Sequence, residues 1–115
     1  MAGEDSEHSL WVRMQPCALC RRPPPSQQHH RTGAGMGKRA HDHESIPLCR
    51  GCHHERVHGD MPKAERREFE AVEISLHASR RAAEIGATVV IGVGLKGNEL
   101  RIHSGPIVEC DWEVF

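Results

Sequence analysis

Residues 17–58 read CALCRRPPPSQQHHRTGAGMGKRAHDHESIPLCRGCHHERVH and hold four of the chain's five cysteines and seven of its ten histidines. Thiolate and imidazole are the ligands of soft and borderline metals. No apolar core calls for such a density of them. Cys17-x2-Cys20 and Cys49-x2-Cys52 are separated by 28 residues. A two-residue gap in a tight turn lets both sulfurs point at one ion, and two such knuckles complete a tetrahedron at Zn–S distances of about 2.3 Å. The spacing predicts a structural zinc on Cys17, Cys20, Cys49 and Cys52, with two disulfides or an iron-sulfur cluster as the competing readings. A closed four-cysteine site has no open position for a substrate, so this zinc holds the fold and does not catalyse. Cys110 is left over.

The histidines need a separate account. His29 and His30 lie between the knuckles, and His53, His54 and His58 follow the second. With zinc already saturated by sulfur, they imply a second metal or a solvated polar surface, and a lone histidine usually has the plainer role. Here both groups flank the same tethered element. On an α-helix His54 and His58, at i and i+4, share a face, while His53 points about 100 degrees away from His54. The sequence leaves open which of the three faces the cluster.

The elements that must position these residues are legible in part. Residues 1–13 are polar and expected to be flexible, with residues 10–12 as a short strand or anchor. Residues 14–61 form the metal-stapled core: a first knuckle, an extended proline run after Arg22, a glycine-rich loop, and a short apolar approach through Ile46 and Leu48 to the second knuckle. Residues 62–86 form a helix whose Phe69, Val72, Leu76 and Ala83 recur at helical intervals, with Pro62 at its start and Gly86 as its stop. Residues 87–115 form a short β tail, two strands joined around residues 96–98 and a third at Ile107 and Val108. The pattern is that of an α+β chain.

Composition narrows the function. Tyr is absent and Phe and Trp are scarce, so a small core needs a metal as a staple. The N-terminus lacks the positive start and apolar run of a secretory signal, and no stretch approaches the roughly 20 apolar residues of a membrane span. A cytoplasmic, non-membrane protein is expected, where paired CxxC motifs favour metal over disulfides. Net charge is −2 over residues 1–16, +5 over 17–67 and −4 over 68–115. The basic middle permits a polyanion partner. A P-loop is excluded, because Thr32 stands where its first Gly belongs and Arg39 where Ser or Thr binds magnesium.

The ordered combination of a first CxxC, the His29-His30 pair, Gly-Met-Gly-Lys, Asp42, then Ile-Pro-Leu-Cys-x2-Cys-His and a later His resembles the zinc-containing HNH endonucleases. It is most similar to phage and bacterial proteins related to recombination-enhancement nucleases. The resemblance covers residues 17–58. It implies a small zinc-stabilised ββα-metal fold, followed here by the long helix and the hairpin-like tail. It implies His30 as general base, braced by Asp42 where the family often has Asn. His29 and His53 would bind a catalytic Mg2+ or Mn2+ with His58, or alternatively His54, as a further ligand. The doubled His53-His54 shifts His58 by one residue against the commoner family spacing. The implied reaction is hydrolysis of DNA to a 5′-phosphate and a 3′-hydroxyl, with Arg31, Lys38, Arg39 and Arg50 on phosphates and a recombination or phage-packaging protein as a possible source of the target.

The chemistry stands independently of the resemblance. Phosphodiester hydrolysis needs a deprotonated water near neutral pH, for which imidazole has the matching pKa, and positive charge on the phosphate. A second reading is a zinc-knuckle adaptor that binds nucleic acid or protein without activity. It explains the cysteines and the basic charge but leaves His29 and His30 without a role. Oligomeric state is not written in the sequence.

Overall fold

The computed structural model describes residues 5–33, 40–94 and 97–104. In chain order they form α1 (Ser6–Arg13), β1 (Gln27–His30), β2 (Ser45–Leu48), a π-helix (Cys52–Asp60), α2 (Lys63–Ile85), β3 (Thr88–Gly94) and β4 (Gly97–His103). The strands make two antiparallel pairs, β1 with β2 and β3 with β4, so the class is α+β. Among the described residues no helix is long and apolar enough to cross a membrane.

The N-terminal stretch corrects an expectation: residues 6–13 are helical where a flexible segment was expected, and of the short strand or anchor expected at residues 10–12 it is an anchor that Trp11 and Val12 provide. The Asp5 side chain accepts the His8 N–H at 3.1 Å and caps the helix, while Glu7 in the first turn and Arg13 in the last suit its dipole. Tertiary contacts then hold it. His8 and Val12 are fully buried, and Trp11 Nε1 donates to Glu84 on α2 at 2.7 Å. Eight residues are too few for periodicity to be read, so packing decides.

In the first hairpin Gln27 pairs with Leu48 and His30 with Ser45. Every residue of β2 is buried. Ile46 and Leu48 join Val57, Met61, Cys17 and Ala18 in the core, where α2 adds Ile74, Ala78 and Ala82, and β4 adds Leu100 and Ile102. Fully burying a side chain such as Ile46 is worth about 1.5–3 kcal/mol. The first knuckle is laced to this sheet through the Ala18 N–H, which donates to the Pro47 carbonyl at 2.9 Å.

The face that α2 buries is a second correction. Glu70, Ile74, His77, Ala78, Arg81 and Ala82 turn inward, whereas Val72 and Leu76 of the expected apolar stripe are exposed, as is Ala83. Glu70 meets His29 and Thr32 and Arg81 meets His8, and these contacts across the fold turn that face inward together with Ile74, Ala78 and Ala82. His77 bonds the Glu73 carbonyl of its own helix. The helix starts one residue after Pro62 and stops at Gly86, whose φ of +69 is the left-handed geometry glycine tolerates.

The second hairpin runs from Thr88 opposite His103 to Gly94 opposite Gly97 and lies against α2 through both strands. The expected third strand at Ile107 and Val108 lies outside the described residues, as does Cys110.

Candidate functional site

Two ligand clusters flank the first hairpin. Cys17, Cys20, Cys49 and Cys52 offer sulfurs that all lie within 4.8 Å of one another. Cys20 Sγ and Cys49 Sγ are 3.6 Å apart, close to the edge of about 3.8 Å that a tetrahedron with 2.3 Å bonds requires. All four are free thiols. The cluster can therefore hold a metal such as zinc.

Its electrostatics point the same way. Burial pushes the Cys17 thiol up, yet backbone N–H groups of Cys20, Cys49 and Leu19 outweigh this and bring it down to about 6. Burial and the neighbouring sulfurs push Cys52 up to about 12. Four adjacent thiols cannot all ionise alone, and a cation relieves the conflict.

The second cluster is His29, His53 and His58, whose ligand atoms also lie within 4.8 Å of one another. Ring centroids are 5.1 Å apart for His29 and His53, 4.8 Å for His29 and His58, and 4.9 Å for His53 and His58. His54 is exposed and lies outside the group. The π-helix explains the selection. Its hydrogen bonds run i to i+5, as in the Met61 N–H to Arg56 carbonyl contact at 2.9 Å. Residues five apart thereby share a side, and His53 meets His58 where an α-helix would have matched His54 with it. Gly59 gives this widened turn its space, since a Cβ there would stand 3.0 Å from the His54 carbonyl oxygen.

Each ring has an outer partner or an electrostatic reason to stay neutral. The His29 Nε2 is 2.6 Å from Glu70 Oε2, with both side chains almost completely buried. Glu70 Oε1 accepts from the Thr32 N–H at 3.1 Å and the Thr32 hydroxyl at 2.9 Å. Burial raises the Glu70 carboxyl, but the His29 and Thr32 donors outweigh it and leave it below its ordinary value. His53 Nδ1 donates to Gln27 Oε1 at 2.8 Å. Burial, then His29, His58 and His54, bring His53 down to about 4. Burial followed by His29 also lowers His58. Both shifts favour the uncharged imidazole, the form in which histidine binds a metal.

His30 is on the opposite face of β1 from His29, because side chains alternate along a strand. Its Nε2 donates to Asp42 Oδ1 at 2.7 Å. That bond fixes the tautomer and makes Nδ1 the basic nitrogen. Asp42 Oδ2 accepts the Asp5 N–H at 2.7 Å. Asp5 Oδ2 in turn accepts from His43 Nε2 at 2.8 Å, and His43 Nδ1 accepts the Ile102 N–H at 2.9 Å. The cap of α1 thus clamps Asp42.

The basic residues divide. Arg31 Nε donates to Glu44 at 2.8 Å, a carboxylate that Arg101 also engages at 3.0 Å. Arg50 is exposed and lines an open cleft of about 480 Å³ with Arg22, Gly51, His54 and Glu55. Lys38 and Arg39 lie outside the described residues.

A family model described as "Protein of unknown function (DUF968)" matches residues 2–86. The chain belongs to this family. The DUF968 match encloses both ligand clusters, Asp42 and Glu70, and it stops at the glycine that ends α2. The Escherichia coli (strain K12) protein titled "Uncharacterized protein YdfU" is 37% identical over 83 residues, covering 70% of this chain. The chain spans 23% of that relative's length. No solved structure matches it.

Four residues of the site escaped the sequence reading: Asp5, Gln27, Thr32 and Glu70. Asp5 sits in the segment expected to be flexible. Glu70 is one of several glutamates that suit a helix dipole wherever they point. Its signal is phase, because it lies four residues before Ile74 and eight before Ala78 on the buried face.

Proposed function

We propose that the chain is a metal-dependent nuclease that hydrolyses phosphodiester bonds of DNA, with a ββα-metal arrangement of the HNH type built from the first hairpin and the π-helix. The observation that carries the reading is the convergence of three imidazoles on one point, one of which, His29, directly precedes the carboxylate-braced His30 in β1. A structural scaffold or simple knuckle has no use for either arrangement.

His30 takes a proton from water through Nδ1, and Asp42 stabilises the imidazolium that results. The hydroxide attacks phosphorus, the bond to the 3′ oxygen breaks, and that oxygen takes a proton from solvent water, leaving a 5′-phosphate and a 3′-hydroxyl. A divalent ion on His29, His53 and His58 would supply positive charge against the phosphate and the departing oxygen. Three imidazoles suit Mn2+ better than Mg2+, which prefers oxygen ligands. Arg50 and Arg22, in the cleft beside His54, are the phosphate contacts that the geometry favours. Arg31, held by Glu44, is less free to serve, and zinc on the four cysteines holds the hairpin and π-helix in place.

Supercoiled plasmid incubated with the zinc-loaded protein and Mn2+ or Mg2+ tests this. Nicking by the parent, and none by His30→Ala at equal zinc content, supports catalysis. Equal cleavage by both removes His30 as base. Absence of cleavage by the parent across several metals and substrates favours the non-catalytic adaptor.

A further inference from the structure

His29 is gripped on its far side by a residue from another element. Its Nε2 meets Glu70 Oε2 at 2.6 Å, and the other carboxylate oxygen takes two donors from Thr32. We propose that Glu70 is the positioning residue of the second metal centre: with Thr32 it fixes His29 as the Nε2–H tautomer, so that the Nδ1 lone pair is offered to a divalent transition ion shared with His53 and His58. The inference rests on the reading of those three histidines as ligands and extends the centre onto α2.

The argument turns on donors and acceptors. A carboxylate has acceptors on both oxygens, so it serves Thr32 on one side and the His29 N–H on the other. An amide cannot do both. In Glu70→Gln the fixed Thr32 N–H selects the amide oxygen, so the NH2 group faces His29 Nε2. The ring must then accept at Nε2 and carry its proton on Nδ1, where it blocks the ion. Ligating histidines elsewhere are held by carboxylates in this way, and the loss of such a partner typically costs about 10–100-fold in metal affinity. Gln27 does the equivalent for His53, taking its Nδ1–H and leaving Nε2 as the basic nitrogen. Neutral Gln27 suffices there because only one donor is offered to its oxygen. At Glu70 three donors converge, so a carboxylate is needed.

The alternative is that Glu70 only joins α2 to the hairpin. A joining role asks for a hydrogen bond of either polarity, and Gln fills it at the same size. The two roles therefore part at Glu70→Gln.

The test uses the full zinc-loaded chain. Mn2+ is titrated by calorimetry into the parent, Glu70→Gln, Thr32→Val and His53→Ala. Thermal stability and zinc content are recorded for each, and long-range 1H–15N spectra read the His29 tautomer. The expected result is one Mn2+ bound by the parent, about 10–100-fold weaker binding by Glu70→Gln, and reversal of the His29 tautomer at unchanged zinc content. Parental affinity in Glu70→Gln, alongside loss in His53→Ala, overturns the positioning role and keeps the ligands. No second ion on the parent overturns the ligand reading and the inference with it. If Glu70→Gln does not fold, Thr32→Val decides: a smaller loss in the same direction supports the role, and unchanged affinity overturns it.

Discussion

His53 and His58, five residues apart in the chain, face one point with ring centroids 4.9 Å apart. The π-helix makes them neighbours, because its hydrogen bonds run from residue i to residue i+5. His54 is left outside. His54→Ala is therefore expected to leave the affinity for a second divalent ion within about threefold, while His53→Ala or His58→Ala removes a ligand and costs more than the roughly 100-fold typical of losing an outer partner. Calorimetric titration of Mn2+ into the zinc-loaded variants checks this. Loss in His54→Ala and His58→Ala with parental affinity in His53→Ala would mean that the segment turns as an α-helix.

Zinc at the cysteines carries a separate expectation. Cys17 and Cys49 are buried beside Ile46, Leu48 and Val57, so an ion held by the four cysteines would sit against the core. Cys49→Ser is expected to lower zinc content by one ion per chain and to abolish cooperative unfolding, since binding energy at such a site is folding energy. Metal analysis and denaturant melts read both. A cooperative melt without zinc would show that the hydrophobic core is sufficient.

Much of this architecture could be read from residue types. Paired CxxC spacing requires sulfurs that converge, and the structure places them together. Gly86 stops α2 because a left-handed residue is needed there. The unread parts share a cause: they depend on which polar groups meet across the fold. Glu70 and Arg81 meet partners on other elements and turn α2 inward, whereas the apolar recurrence of Val72 and Leu76 points to the exposed face. The π turn that brings His53 to His58 leaves a faint local trace in Gly59, where a Cβ would stand 3.0 Å from the His54 carbonyl oxygen.

Asp42 holds the proposed base in one tautomer, accepting from His30 Nε2 at 2.7 Å and from the Asp5 N–H at 2.7 Å. In Asp42→Asn the backbone donor of Asp5 claims the amide oxygen, so the NH2 group turns to His30 and shifts its proton to Nδ1. The base is then blocked at the nitrogen that should receive a proton. Nicking is expected to fall by about 100-fold or more, the usual worth of general-base catalysis, with zinc and Mn2+ affinity unchanged. An unaffected rate would remove Asp42 from the mechanism.

His8 gives the N-terminal helix a pH dependence. Burial, then His43 and Arg81, push its pKa down from 6.5 to about 3, against smaller opposing effects of Asp5 and Asp42. Arg81 Nη1 donates to its Nδ1 at 3.1 Å, and the Trp11 ring stacks beside it. The folded state therefore keeps His8 neutral, while the unfolded chain takes up a proton near pH 6.5. Its contribution is fully present above that value and is lost as pH falls toward about 3. One such proton costs up to about 1.4 kcal/mol per pH unit below 6.5. His41 and His43, also depressed by burial, add to the slope in both proteins when the parent is compared with His8→Phe. Denaturant melts from pH 7.5 to 5 should show a slope shallower in His8→Phe by nearly one proton. Identical slopes would mean that the folded chain protonates His8, and so that α1 opens before the rest of the domain unfolds.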